Sequence, residues 1–261
     1  MTIRVGVVGA GGRMGLTVCQ SVADDPELEL VAAVDRVRAD IALSKLGGPG
    51  DLRIAESIDA VIEADADVVV DFTQAEAART NLPKLAAAGV HCVVGTTGLG
   101  DADLAVLKSE FTSSNCLVAA NFAISAVLMM RFAELAAPWF DTAEIIELHH
   151  DNKIDAPSGT AVTTVERMAA ASDEWADDPT ELTVYPGARG GEGPAGIRVH
   201  SVRMRGMVAH QEVLLGARGQ GLTIRQDSYD RSSFMPGVVL AVKKISDHPG
   251  LTVGLDALLG L

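Results

Sequence analysis

The stretch "IRVGVVGAGGRMG", Ile3 to Gly15, decides the fold. Ile3 to Gly9 is a short apolar run rich in β-branched residues, the composition of a buried strand. It gives way to "RMGLTVCQSVADD", where Met14, Val18 and Val22 recur at four-residue steps and so share one helical face. The turn between strand and helix reads G-x-x-G-x-x-G, with Gly9, Gly12 and Gly15 plus Gly11, rather than G-x-G-x-x-G. Its physics is still that of a dinucleotide-binding turn. Small residues let backbone N–H groups approach a pyrophosphate at a helix N-terminus, where the dipole favours anions. Asp35 closes the next strand, "LELVAAVD", twenty residues beyond Gly15, where a carboxylate accepts ribose hydroxyls. Arg36 beside it can pair with a 2′-phosphate or lie on an adenine. The two side chains pull opposite ways, so NADH and NADPH both stay open as the cofactor.

Working outward, strand–helix units follow: "ADVVVDF" (66–72), "QAEAARTNLPKLAAAG", "VHCVVG" (90–95), then "NCLVAAN" (115–121). Alternation at these lengths implies parallel βαβ units and a doubly wound sheet. "VVGTTG" and "AANFAIS" end two of these strands at the carboxyl edge where open α/β sheets hold ligands. Taken alone, each is as well explained by a tight turn. After Asn121 the rhythm changes to a long helical run, the strand "AEIIELHH" and the helix "TAVTTVERMAAAS". Tyr185–Gly196, dense in Gly and Pro, is expected to be a mobile loop. "IRVHSVRM", "HQEVLLGA" and "GLTIRQDS" are then three successive strand candidates, suiting a mixed or antiparallel sheet. "FMPGVVLAVKKI" returns to helix. The fold class expected is α/β: an N-terminal doubly wound Rossmann domain over 1–122 and 232–261. An α+β domain with a mixed sheet, for substrate and oligomerisation, spans 123–231.

The 261 residues are ample for a real core, and 48% hydrophobic with 21% charged residues is an ordinary globular balance. A net charge of −14 argues against nucleic acid or anionic lipid as the main partner, since phosphate is repelled. An anionic small substrate then requires a local basic pocket. Cys19, Cys92 and Cys116 are too scattered for a disulfide framework or a zinc site, so no metal is expected and a reducing cytoplasm is the default. "MTIRVGVVGAGG" lacks the apolar run and cleavage site of a secretory signal, and no stretch approaches the ~20 apolar residues of a membrane span.

One segment carries more polar chemistry than a core needs: "ELHHDNKIDAPSGTA", Glu147 to Ala161. The strand delivers Glu147, His149 and His150, and adjacent strand residues face opposite ways, so the two imidazoles can share a task only where the strand ends. Ser158 is placed as a helix N-cap, with the N–H groups of Gly159 and Thr160 opening the first turn toward a carboxylate. Lys153 supplies the positive charge an anionic substrate requires. A histidine titrates near neutrality and can give a proton to an enamine or carbanion as hydride arrives.

The string E-L-H-H-x-x-K-x-D-A-P-S-G-T-A resembles the signature of the dihydrodipicolinate (4-hydroxy-tetrahydrodipicolinate) reductase family of bacterial lysine and diaminopimelate biosynthesis. "VGVVGAGGRMG", "VDFT", "GTTG", "AANF" and "LTIRQDSYDRSSFMPGV" also resemble family segments, in family order, so the likeness covers nearly the whole chain. It implies NAD(P)H-dependent reduction of a cyclic dicarboxylate to tetrahydrodipicolinate, with His149 as proton donor and Lys153 as second catalytic residue. His150, Ser158, Gly159 and Thr160 then hold the substrate's carboxylates. The cofactor lies on Gly9, Ala10, Gly11, Gly12, Arg13 and Met14, on Asp35 and Arg36, on Gly95, Thr96 and Thr97, and on Ala119, Ala120, Asn121 and Phe122. A cytoplasmic homotetramer joined through the second domains is implied as well. Ser125 departs from the glycine many relatives carry after "NFAI", which puts backbone freedom there in question. Another two-domain Rossmann reductase would explain the glycine turn but not the His-His-Lys-Ser-Gly-Thr set. A sensor that binds NAD(P) without turnover has no sequence feature in its favour.

Overall fold

The structure is a computed structural model that describes residues 2–261. The chain forms two compact units, Met1–Ala123 with Arg231–Leu261, and Ile124–Asp230. In the first, β1 (Ile3–Val8), α1 (Arg13–Asp24), β2 (Leu28–Val34), α2 (Asp59–Glu63), β3 (Val68–Asp71), α3 (Ala75–Ala87), β4 (His91–Val94), α4 (Asp101–Glu110) and β5 (Cys116–Val118) follow in order. The second unit carries α5 (Ile124–Ala136), β6 (Thr142–His149), α6 (Gly159–Ala171), β7 (Gly191–Glu192), β8 (Arg198–Arg203), β9 (Ala209–Ala217) and β10 (Gln220–Ser228). The chain then returns to the first unit with α7 (Met235–Lys244), β11 (Leu251–Val253) and α8 (Asp256–Leu259).

The six strands of the first unit run in the order β11-β5-β4-β3-β1-β2, every pair parallel. Strands covered on both faces must be apolar throughout. Val5, Val7, Val69, Val70 and Val93 accordingly have no exposed surface. A parallel bridge from Val34 to Ala55 adds one residue of a further strand beyond β2. β1 has β2 on one side and β3 on the other, so chain connections leave it in opposite directions and open a crevice at its carboxyl end. Two glycines let backbones meet there. Gly9 has φ +80°, and a Cβ on it would lie 2.7 Å from the Phe72 carbonyl. A Cβ on Gly15 would lie 2.0 Å from the carbonyl of Gly9, so α1 sits on β1 only because residue 15 has no side chain.

The second unit holds a five-stranded mixed sheet, β10-β9-β6-β8-β7, in which β6 runs parallel to β8 and antiparallel to β9. Ile145, Val199 and Val213 stand in register across three strands and are buried. Helix α6 lies over β6 and against α5. The expected loop over Tyr185–Gly196 is only partly loop. Gly191 and Glu192 pair antiparallel with Val199 and Arg198, and the Arg189 guanidinium binds Glu144 and Asp178. Ser125 sits in α5 without a positive φ, and its hydroxyl accepts from Gln226 Nε2 at 3.3 Å, so the backbone there needs no glycine.

Candidate active site

In the first unit, Ala10 N–H donates to the Val34 carbonyl and Gly11 N–H to Asp35 Oδ2 at 3.1 Å. Asp35 Oδ1 accepts from the amides of Val37 at 2.9 Å and Arg38 at 3.2 Å. The carboxylate is thus aimed by backbone at the glycine turn. Gly12 is the N-cap of α1, Arg13 and Met14 open its first turn, and no acidic residue lies in that turn. The first-turn amides have no acceptor within the helix, which suits a pyrophosphate. Arg36 is exposed. The arginine at the turn itself is Arg38, whose Cγ would come within 2.5 Å of a Cβ on Gly11, and the sequence pattern does not single it out.

At the ends of β4 and β5 the expected residues divide. Gly95 lies beneath Phe72, whose ring a Cβ would meet at 2.1 Å. Thr96 is turned inward: its hydroxyl donates to Asp71 Oδ1 at 2.7 Å and accepts from Thr73 N–H at 2.8 Å, which ties β3 to β4. Burial raises the Asp71 carboxyl above the usual carboxylate range, against the hydrogen bonds from Thr73 and Thr96. Thr97 and Ala120 are exposed, Ala119 is buried, and Asn121 Oδ1 accepts from Ala123 N–H at 2.8 Å. The rings of Phe122 and Phe72 are tilted together at 5.8 Å, an apolar wall beside the strand ends. Open amides, a helix start free of acid and a placed carboxylate fit a dinucleotide.

In the second unit, chemistry grows out of the sheet's alternation. Ile145, Glu147 and His149 point to one face of β6. The register sets Glu147 opposite Ser201 and Gln211, and His149 opposite Arg203. The apolar layer of Ile145, Val199 and Val213 is thus followed, toward the carboxyl end of β6, by polar layers. Glu147 is fully buried. Its Oε1 accepts from Arg203 Nη2 at 2.7 Å and from the Ser158 amide at 3.2 Å. Its Oε2 accepts from Arg203 Nη1 at 2.8 Å and pairs with His149 Nδ1 at 2.5 Å. Burial alone would raise this carboxyl, but the bonds from His149 and Arg203 outweigh it and hold it at about 2. An ionised carboxylate only accepts, so Nδ1 of His149 carries a proton and Nε2 is the ring atom left to exchange one.

Strand β6 ends at His149, and His150 is exposed just beyond it. Lys153 Nζ donates to both oxygens of Asp155, at 2.8 and 2.7 Å, so the ammonium expected for a substrate already holds a carboxylate. Ser158 caps α6, its Oγ accepting from Ala161 N–H at 3.2 Å. Its own amide is committed to Glu147, not open to a ligand. Gly159 is exposed, a Cβ on it would meet nothing within 4 Å, and Thr160 follows it in the first turn. The sequence singles out neither the hub role of Glu147 nor Arg203. Alternation from His149 back to Glu147 is the available signal for the first; for Arg203, 56 residues away, there is none.

Residues 3–122 match the family described as dihydrodipicolinate reductase, N-terminus, and residues 125–259 that described as dihydrodipicolinate reductase, C-terminus. The 4-hydroxy-tetrahydrodipicolinate reductase of Corynebacterium urealyticum is 49% identical, over 99% of this chain and 99% of its own. That of Nocardia farcinica is 47% identical over the whole of both. Dipicolinate-bound dihydrodipicolinate reductase from Paenisporosarcina sp. TG-14 superposes with a TM-score of 0.88 at 38% identity, covering 98% of this chain and 99% of that one. An amine dehydrogenase from Mycobacterium smegmatis, at 14% identity and TM-score 0.66 over 98% and 96% of the two chains, shares the fold alone.

The low value at Glu147 has a stability consequence with a definite sign. A carboxyl held below its ordinary 4.5 adds stability that is complete above that value and lost as pH falls through about 2. E147Q should therefore cost about 3 kcal/mol at neutral pH, because it leaves Arg203 without its anion. The gap from wild type, read by urea unfolding at successive pH values, should narrow as pH drops below 4.5. A gap independent of pH would contradict the assignment.

Proposed function

This chain belongs to the dihydrodipicolinate reductase family, and from that premise we propose that His149 is its proton donor, oriented by the buried carboxylate of Glu147. The chain is an NAD(P)H-dependent oxidoreductase that reduces 4-hydroxy-tetrahydrodipicolinate, by way of dihydrodipicolinate, to tetrahydrodipicolinate in lysine and diaminopimelate biosynthesis. The observation that carries the assignment of His149 is its Nδ1 contact with a fully buried, ionised Glu147.

The cofactor is held by Gly9 to Met14, Asp35 and Arg36, Gly95 to Thr97 and Ala119 to Phe122. When bound, its reduced nicotinamide supplies a hydride. Thr96 contributes by fixing the strand ends through Asp71 and Thr73, its side chain being buried. The substrate carries two carboxylates, and the second unit offers two places for them. One is the α6 start, with the Ser158 hydroxyl, Gly159 and Thr160, where the helix dipole favours an anion. The other is Lys153 with His150, where a substrate carboxylate takes the place of Asp155 on the ammonium. As hydride adds, the electron-rich substrate atom takes the proton from Nε2 of His149. The imidazole becomes neutral and keeps its Nδ1 proton on Glu147.

The nucleotide-binding domain is 1–122 with 232–261, and 123–231 binds substrate and assembles four copies through its sheets. Met204, Val208 and Leu222, large apolar side chains left exposed on or beside β8 to β10, support that assembly. Three free, buried cysteines suit a reducing cytoplasm. No helix among the described residues is long and apolar enough to cross a membrane.

H149Q should lower kcat by roughly 10²-fold or more with KM little changed, measured by loss of NADH or NADPH absorbance on substrate made by a coupled synthase. An unchanged kcat would sink the assignment. Light scattering on the eluting protein should give the mass of four chains; a monomer mass would remove the tetramer.

A further inference from the structure

Arg203 ties its own strand, β8, to two other parts of the second unit at once. Its place on β8 opposite His149 follows from the parallel register with β6. Its two terminal nitrogens reach the two oxygens of Glu147 at 2.8 and 2.7 Å, and Nη2 also donates to the Asp155 carbonyl at 2.6 Å. Asp155 is the residue whose carboxylate holds Lys153. The guanidinium therefore joins the strand that carries His149 to the loop that carries Lys153 and leads into the cap of α6.

We propose that Arg203 is a positioning residue for proton transfer, acting on His149 through Glu147. The inference rests on the reading of His149 as proton donor. A carboxylate's terminal torsion is soft, with no staggered well to hold it. Glu147 is kept in one orientation because the planar fork of Arg203 brings a separate nitrogen to each oxygen in one fixed plane, whereas an ammonium reaches both oxygens from a single rotatable nitrogen and sets no such plane. Beyond the fork, Oε1 accepts from the Ser158 amide, Oε2 pairs with His149 Nδ1, and the Ser201 hydroxyl on β8 also bonds the carboxylate. Rotating the carboxylate would swing the oxygen that fixes the imidazole, and with it the direction in which Nε2 offers its proton. The Ser158 contact makes the same rotation disturb the helix start, but that amide and the Ser201 hydroxyl are neutral partners, each weaker than the two charge-assisted bonds from Arg203. Orientation of the donor is the quantity Arg203 controls, and it bears on the chemical step rather than on substrate affinity.

The test is a kinetic cycle on the full-length enzyme with R203M, R203K, H149Q and H149Q/R203M, using the coupled substrate and NADH or NADPH. R203M should lower kcat on the order of tenfold or more while both KM values stay within about twofold, the scale of losing a group that orients a reacting one. R203K, which keeps the charge but not the fork, should fall between wild type and R203M, and it keeps the test alive if R203M does not fold. H149Q/R203M should be no slower than H149Q, because Arg203 has nothing left to act through. Wild-type kcat in a folded R203M or R203K overturns the proposal, and so does a loss that multiplies with that of H149Q. If H149Q itself keeps wild-type kcat, the reading of His149 fails and this inference with it. If H149Q is slow but the Arg203 variants are not, only this inference fails.

Discussion

A carboxylate with no surface open to water must find its solvation inside the protein or give up its charge. Glu147 finds it. Both terminal nitrogens of Arg203, the Ser158 amide, His149 Nδ1 and the Ser201 hydroxyl converge on its two oxygens. Those donors come from β6, β8 and the start of α6, so one buried anion decides how three elements meet. It also fixes which ring nitrogen of its neighbour carries a proton, since an acceptor-only partner holds that proton on Nδ1 and leaves Nε2 of His149 as the other ring nitrogen. Removing any one donor leaves the others facing a charge that is harder to satisfy, which is why such a cluster is costly to break and poor at tolerating approximate geometry.

The first unit solves a different problem with different means. A dinucleotide is long and needs close approach more than it needs side chains, so the site is made of absences. Gly9 and Gly15 let the end of β1, the start of α1 and the end of β3 touch. Side chains there work on the protein itself: Asp35 is aimed by three backbone amides, and Thr96 and Thr73 are gathered onto Asp71. The second unit does the reverse, placing charged side chains at the end of a sheet face whose other layers are apolar.

Features with a short period are legible in the sequence. The buried strands, the glycine turn and the Asp35 spacing each announce themselves within twenty-odd residues, and the cap at Ser158 follows from Ser-Gly-Thr before a helical run. What stays hidden is set by pairing across the fold. Arg203 meets Glu147 only because β6 runs parallel to β8, and strand order is not written in either strand. "GTTG" at a strand end points Thr96 toward the cofactor, whereas its inward turn depends on Asp71 of a neighbouring strand. β11 is three residues long between Gly250 and Gly254, too short to show a period. The Lys153–Asp155 pair is within reach of the sequence, two positions apart, yet a lysine among histidines draws the eye to substrate first.

The geometry of Glu147 fixes a tautomer, and ring nitrogens report tautomers directly. Nitrogen-15 NMR of protein carrying labelled histidine, with the His149 signals assigned by their loss in H149Q, distinguishes the two ring atoms. In its neutral state His149 should carry its proton on Nδ1, with Nε2 bare. A neutral His149 protonated on Nε2, or exchanging between both forms as free imidazole does, would contradict the role given to Glu147.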